Sequence, residues 1–220
     1  MNLVKALARF NRKERYWLIR NALGPSSARL DDAFLYKLKL AIGKEVPPDA
    51  WWAMDYHLDW LIGALSLVAD EDDDKSVHQV RPNSLNFVTG SQEDMDLVVA
   101  FDKVLVLIEA KGESAWSNSQ FNSKVARLEA MRNAGLLPES ITVFLVVMSP
   151  DAPVKLMARP DSPWQTWVCG ADGSLRHIPL TMDEKLLKVT RCDEVSAQPD
   201  SKGTSWKIVP ARGADKLDGG

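Results

Sequence analysis

The chain has 220 residues, 45% hydrophobic and 26% charged, with a formal net charge of −3, the balance of a globular protein long enough to bury a full core. Cys169 and Cys192 are too few and too far apart for a disulfide framework or a structural zinc site, and the scattered His57, His78 and His177 argue against a histidine metal centre or a Ser-His-Asp arrangement. The best membrane candidate, Leu58 to Val68, is short and interrupted by Asp59, and the amino terminus is mixed and basic rather than a signal sequence, so no membrane and a reducing cytoplasm are expected.

In chain order, Lys5, Arg9, Arg12, Lys13, Arg15, Arg20 and Arg29 face only Glu14 in the amino-terminal stretch. Asn11 with Glu14 three residues later reads as a capping box, Gly24-Pro25 stops that helix, and Ser27 starts another that runs to Gly43. Arg12 and Lys13 on this basic helical portion are candidates for tracking a nucleic-acid backbone, although basic helix faces are commonly just solvated. From Ala50 to Val68, an apolar stripe of Trp51, Met54, Leu58, Leu61, Ile62, Leu65 and Val68 predicts an amphipathic helix packed on a sheet, with Asp55 and Asp59 flanking the stripe. Asp70 to Asp74 is an acidic run that a polyanion would avoid, and Asn86-Phe87-Val88 is a candidate first strand.

Two hydrophobic runs, Met95 to Phe101 and Val104 to Lys111, are separated only by Asp102-Lys103, the pattern of a β-hairpin. If those two residues form the loop, Phe101 faces Val104, and stepping outward places Asp96 opposite Glu109 with Cβ atoms about 5 Å apart. Lys111, two residues beyond Glu109, falls on the same face because strand side chains alternate. A three-residue loop would shift the register and separate the carboxylates, so the placement depends on loop length.

Next, Ser117 to Gln120 reads as a helix start, with Phe121, Val125, Leu128 and Met131 at helical spacing and Gly135 suited to the left-handed position after the helix. Lys124, one turn in, is a candidate phosphate contact or a solvated residue. Ile141 to Met148 is a continuous apolar run, the pattern of a buried strand parallel to the Glu109 strand through a right-handed crossover. Downstream, Trp164–Val168 and Leu175–Leu180 suggest a second hairpin across Gly170 to Gly173, Thr181 with Glu184 a capping box for a short helix around Leu186-Leu187, and Ser205–Val209 a strand closing the sheet. Of eight tryptophans, Trp51, Trp52, Trp164 and Trp167 are candidates for stacking on bases, with core packing the alternative.

Two carboxylates that close repel unless a cation lies between them. Magnesium suits the arrangement because it needs only one or two carboxylates and completes its shell with water and phosphate oxygens. A nearby lysine would help position a metal-bound water and offset charge building on a phosphate under attack. A D/E-x-K tripeptide is expected by chance on the order of once in such a chain. There are four here, but those ending at Lys75, Lys185 and Lys202 follow no buried strand.

Asp96 with Glu109-Ala110-Lys111 resembles the signature of the PD-(D/E)XK nuclease superfamily, the restriction-endonuclease-like fold, over about the middle third of the chain, with Met95 where the family's name has proline. The resemblance implies an α/β protein with an α-β-β-β-α-β core, a central mixed sheet flanked by helices, here with a helical N-terminal portion and extra C-terminal strands. It implies that Asp96 and Glu109 bind Mg2+ or Mn2+, that the Ala110 carbonyl completes the metal shell, and that Lys111 activates or orients the water. It also suggests Gln120 as an assisting residue and Asp59, from the helix before the sheet, as a further metal ligand. The implied activity is a nuclease acting on DNA, with a homodimer suited to double-strand cleavage. The alternative is a non-catalytic nucleic-acid or protein binding module on the same fold. The expected organisation is a helical portion over 1–48, the nuclease-like core over 49–150, a β-rich extension over 151–212 and a loose tail over 213–220.

Overall fold

A helix opens the chain because Leu3, Ala6 and Leu7 present one apolar face, which is buried. In this computed structural model residues 1–24, 29–70, 76–90, 93–112, 116–182 and 186–210 are described. The opening helix, α1 (Leu3–Phe10), is capped by Asn2, whose side chain accepts from the Lys5 N–H. Asn11 closes α1 instead of capping the next helix, so the expected Asn11–Glu14 capping box does not form, and α2 (Glu14–Leu23) starts behind Lys13. The second helix ends at Gly24, as Gly24-Pro25 suggests. Asp31 caps α3 (Asp32–Ile42), which stops at Gly43 in the left-handed conformation, whereas the expected start at Ser27 lies outside the described residues.

The segment expected as one helix from Ala50 to Val68 is two elements, β1 (Trp51–His57) and α4 (Leu58–Ala69). Trp51, Trp52 and Tyr56 are bulky aromatics that suit a pleated surface, and β1 meets a partner, pairing antiparallel with β2 (Asp94–Phe101) from Trp51↔Ala100 to His57↔Asp94. Leu58, Leu61, Ile62 and Leu65 are buried on α4, so the helical half of the stripe survives. Asn86–Val88 forms no strand. The Asn83 side chain donates to the Val88 carbonyl and accepts from the Val88 N–H, taking both backbone groups a ladder would need.

β2 turns back onto β3 (Val104–Ala110) with Phe101 facing Val104, the register a two-residue loop requires. Asp102 takes φ 47°, a conformation Asp tolerates. α5 (Asn118–Asn133) starts behind Ser117 and ends with Gly135 at φ 72°. β4 (Thr142–Ser149) then pairs parallel with β3, and β5 (His177–Pro179) parallel with β4. The mixed five-stranded sheet has the order β1-β2-β3-β4-β5, and with five helices among the described residues the protein is α/β.

Both faces of the sheet are covered, which explains the unbroken apolar runs of β3 and β4. Val98, Leu105, Leu107 and Leu145 pack with residues of α1, α4 and α5, while Val99, Val106, Phe144 and Val146 pack with Leu38 and Ile42 of α3. Tyr56 donates its buried hydroxyl to the Leu7 carbonyl at 2.9 Å, and burial pushes its phenol well above the ordinary value, so it remains a donor. The expected hairpin of Trp164–Val168 with Leu175–Leu180 is reduced to a Cys169↔Leu175 bridge, since Val168 and Cys169 N–H groups both donate to Gln165 O in a tight turn.

The chain divides into two units, residues 1–110 with 116–180, which hold the five-stranded sheet, and residues 111–115 with 181–220. In the second, β6 (Leu187–Cys192) pairs antiparallel with β7 (Ser205–Pro210) as a separate two-stranded sheet. The helix expected around Leu186-Leu187 is therefore replaced by a strand start, consistent with the alternation Leu187, Val189, Arg191, and Ser205–Val209 does not close the main sheet. Glu184 of the expected capping box lies outside the described residues. Among the described residues no helix is long and apolar enough to cross a membrane.

Leu107 is wholly buried in the middle of β3, so Leu107→Ala is expected to cost roughly 2–5 kcal/mol in urea unfolding. Leu40→Ala, at a site 64% exposed, should stay within about 0.5 kcal/mol of the native protein. In the second unit a Cβ at Gly203 would stand 2.2 Å from the Cys192 backbone oxygen. Gly203→Ala should therefore speed hydrogen exchange across β6 and β7.

Candidate active site at the strand ends

Continuing the β2–β3 register one step past Leu97↔Ile108, the last paired rung, puts Asp96 opposite Glu109. Glu109 follows Leu105 and Leu107 on the face covered by α5 and is only 9% exposed. Its Oε2 accepts from Lys124 Nζ at 2.6 Å, and the same ammonium donates to the Asp94 carbonyl at 2.7 Å. Ser117, by accepting from the Gln120 N–H, starts α5 at a point that brings Lys124 over the end of β3. Asp96 spends Oδ2 on the Ala110 N–H at 2.6 Å. Asp96 and Glu109 are thus brought to one place but each is engaged by a different group.

Other charges gather beside them. Lys13 Nζ lies 2.9 Å from Asp94 Oδ2, and His57 Nδ1 lies 2.9 Å from Asp94 Oδ1 without the alignment of a hydrogen bond. On the far side of Asp96, the β1–β2 ladder skips the rung that Asp55 would make with it. Asp55 has φ 48°, uncommon for a residue inside a strand, and pairs with Arg15 at 3.2 Å. The strand ends therefore carry acids and bases in near balance, each acid held by a cation or a backbone donor.

The remaining candidates fall elsewhere. Asp59 accepts from Arg127 at 2.5 Å and from the Gly90 N–H at 2.8 Å, in a network where Arg127 also reaches Glu93 at 2.7 Å and the Phe87 carbonyl at 2.6 Å. Gln120 is exposed in the first turn of α5. Arg12 lies over the Trp60 ring, 5.3 Å from its centroid, while its neighbour Lys13 joins the Asp94 group. Ala110 remains in register with Met148 of β4, and Lys111, the next residue, falls in the second unit. Of the tryptophans singled out, Trp167 is buried, Trp52 packs edge-on against Tyr16, Trp51 edge-on against Tyr56, and Trp164 donates to Asn122 Oδ1 at 3.0 Å.

Sequence reasoning missed Asp94, His57, Trp60 and Arg127. Asp94 had a signal, being a second acid at the start of the same apolar run, two residues before Asp96. His57 and Trp60 had none, because their positions follow from β1 being a strand that ends where α4 begins. Ser149 and His177 also approach each other, but the buried Ser149 hydroxyl donates to the Asp151 carbonyl and is not poised as a nucleophile. Among the described residues no group of three or more His, Cys, Asp or Glu side chains is assembled as a metal centre. No protein-family model, curated protein or solved structure matches this chain.

The Lys124–Glu109 pair is nearly enclosed, with side-chain exposures of 16% and 11%. Lys124→Met should destabilise the protein by roughly 3–5 kcal/mol by removing the ammonium that offsets a nearly enclosed carboxylate. Adding Glu109→Gln should recover part of the loss, and a double-mutant cycle by urea unfolding measures the coupling.

Proposed function

We propose that the chain is a phosphodiester hydrolase dependent on Mg2+ or Mn2+, a nuclease acting on DNA, in which Asp96 and Glu109 supply the metal-binding carboxylates. The observation that carries this reading is the pair itself: two acids opposite each other on neighbouring strands, one of them almost buried, at the point where apolar strands give way to charge. Burying an acid is costly unless it is paired, and here the cost is met by Lys124 on Glu109 and by the Ala110 N–H on Asp96. The order α3, β1, β2, β3, α5, β4, with β4 parallel to β3, supports the restriction-endonuclease-like α-β-β-β-α-β reading, with α4 inserted between the first and second strands.

The donor set fits the ion. It is all oxygen, as Mg2+ and Mn2+ prefer, and a pair suffices where water and substrate phosphate fill the remaining positions. Among the described residues Oδ1 of Asp96 has no hydrogen-bond partner. When bound, the ion would acidify a water and offset charge on the phosphate. The Ala110 N–H orients the Asp96 carboxylate, and Lys124 holds Glu109 and brings positive charge to the strand ends. Lys111 is assigned to the water by the resemblance alone.

One observation favours a second reading. Lys124 already neutralises Glu109 without any metal, as would suit a non-catalytic nucleic-acid or protein binding module on the same fold. Calorimetry with Mg2+ and Mn2+, together with cleavage of supercoiled, linear and single-stranded DNA, separates the two. The hydrolase should bind either ion and cleave at least one substrate. Asp96→Asn, Glu109→Gln and Lys111→Ala should each lose about a hundredfold or more in rate, the scale of one charge-stabilising group in such a site. No heat and no cleavage by the native protein would leave the binding module.

A further inference from the structure

A pocket of about 630 Å³ opens beside the strand-end cluster, lined by Arg9, Arg12, His57, Asp59, Trp60 and Gly90 among others. That volume is in the range of small-molecule and cofactor sites. Its charge is one-sided. Asp59 is neutralised by Arg127 at 2.5 Å, whereas among the described residues neither Arg9 nor Arg12 meets a carboxylate. Arg9 touches the Met1 sulfur and Arg12 rests on the Trp60 ring. The Trp60 indole is held edge-on by Tyr56 at 5.6 Å and flanked by His57 at 4.2 Å, so the ring is fixed in place. His57 belongs to both places, lining the pocket and lying 2.9 Å from Asp94.

We propose that this pocket receives one unpaired nucleotide of the substrate strand, its base stacking on Trp60 and its phosphates meeting Arg9 and Arg12, so that the substrate is a single strand or an overhanging end rather than a blunt duplex. This rests on the phosphodiester-hydrolase reading of the neighbouring acids. Stacking between a base and an aromatic side chain is indifferent to base identity, while guanidiniums follow the phosphates. Arg12 now occupies a face of Trp60, and since no carboxylate among the described residues anchors it, it can move to a phosphate and give that face to a base. A base inside a duplex has both faces covered by its neighbours. It must be unstacked to enter a concave site, which is why an unpaired nucleotide is preferred.

The test is fluorescence anisotropy with a labelled single-stranded DNA of about 12 nucleotides, a length within the usual site sizes, and a blunt duplex of the same sequence, both in EDTA with the full chain. The single strand should bind at least about tenfold tighter than the duplex. The double variant Arg9→Ala/Arg12→Ala should weaken single-strand binding at least about tenfold and reduce the salt slope of log K by about 1.4, near 0.7 per phosphate contact. A strand with abasic positions should bind the native protein more weakly, but should bind Trp60→Leu no differently from the intact strand. Lys103→Ala, in the β2–β3 turn at the opposite end of those strands, should bind like the native protein. Circular dichroism of each variant checks the fold. Equal affinity for duplex and single strand, or native-like binding and slope in the double variant, overturns the proposal. Because no metal is present, the two readings fail separately. Single-strand binding as stated with no cleavage overturns only the hydrolase; cleavage of duplex with no preference for single strands overturns only the pocket.

Discussion

Asp102 at φ 47° and Lys103 turn β2 back onto β3 in two residues, and nearly everything at the strand ends depends on that count. With one more residue in the turn, the pairing would slip and every side chain on one strand would exchange faces. Leu105 and Leu107 would leave the α1–α4–α5 side, and Glu109 would move away from α5 and Lys124. The apolar alternation and the turn support the same register. Burial of residues such as Val98 and Leu107, each worth about 1.5–3 kcal/mol, makes the alternative expensive.

That register concentrates charge where the sheet ends. Asp55, Asp94, Asp96 and Glu109 come from three neighbouring strands, and each is met by a basic group or an amide: Arg15, Lys13, Ala110 N–H and Lys124 respectively. The bases come from the α1–α2 segment, remote in sequence from the acids, and from α5, the element that follows β3. Like charges this close would repel in the absence of such partners. The arrangement keeps a charged, internally compensated end on an otherwise apolar sheet.

The link between α1 and α2 serves two neighbours. Its backbone is extended at Asn11 and Lys13, so successive side chains diverge. Lys13 goes to Asp94 and Arg12 goes to Trp60. The Tyr56 hydroxyl on the Leu7 carbonyl ties α1 to β1 and so fixes where this link lies. Asp55, in its left-handed conformation, interrupts the β1–β2 ladder just before β1 gives way to α4, whose first turn carries Asp59 and Trp60.

From the sequence alone came the elements whose signals are local. Two residues between apolar runs define the hairpin, Ser117 and Gly135 bracket α5, and the β-rich run of Ile141 to Met148 marks β4. The opposition of Asp96 and Glu109 follows from counting, because strand pairing across a tight turn is arithmetic. The tertiary structure decided what depends on partners. Residues 51–57 fit a helical stripe as well as a strand, and pairing with β2 settled the matter. Ser205–Pro210 pairs with Leu187–Cys192 rather than with the main sheet. Lys124 could have been a solvated residue, Asp59 a neighbour of the acids, and Trp60 one of many core aromatics. Only packing placed Lys124 on Glu109, Asp59 on Arg127 and Trp60 beneath Arg12, since contacts between elements distant in sequence leave no periodicity to read.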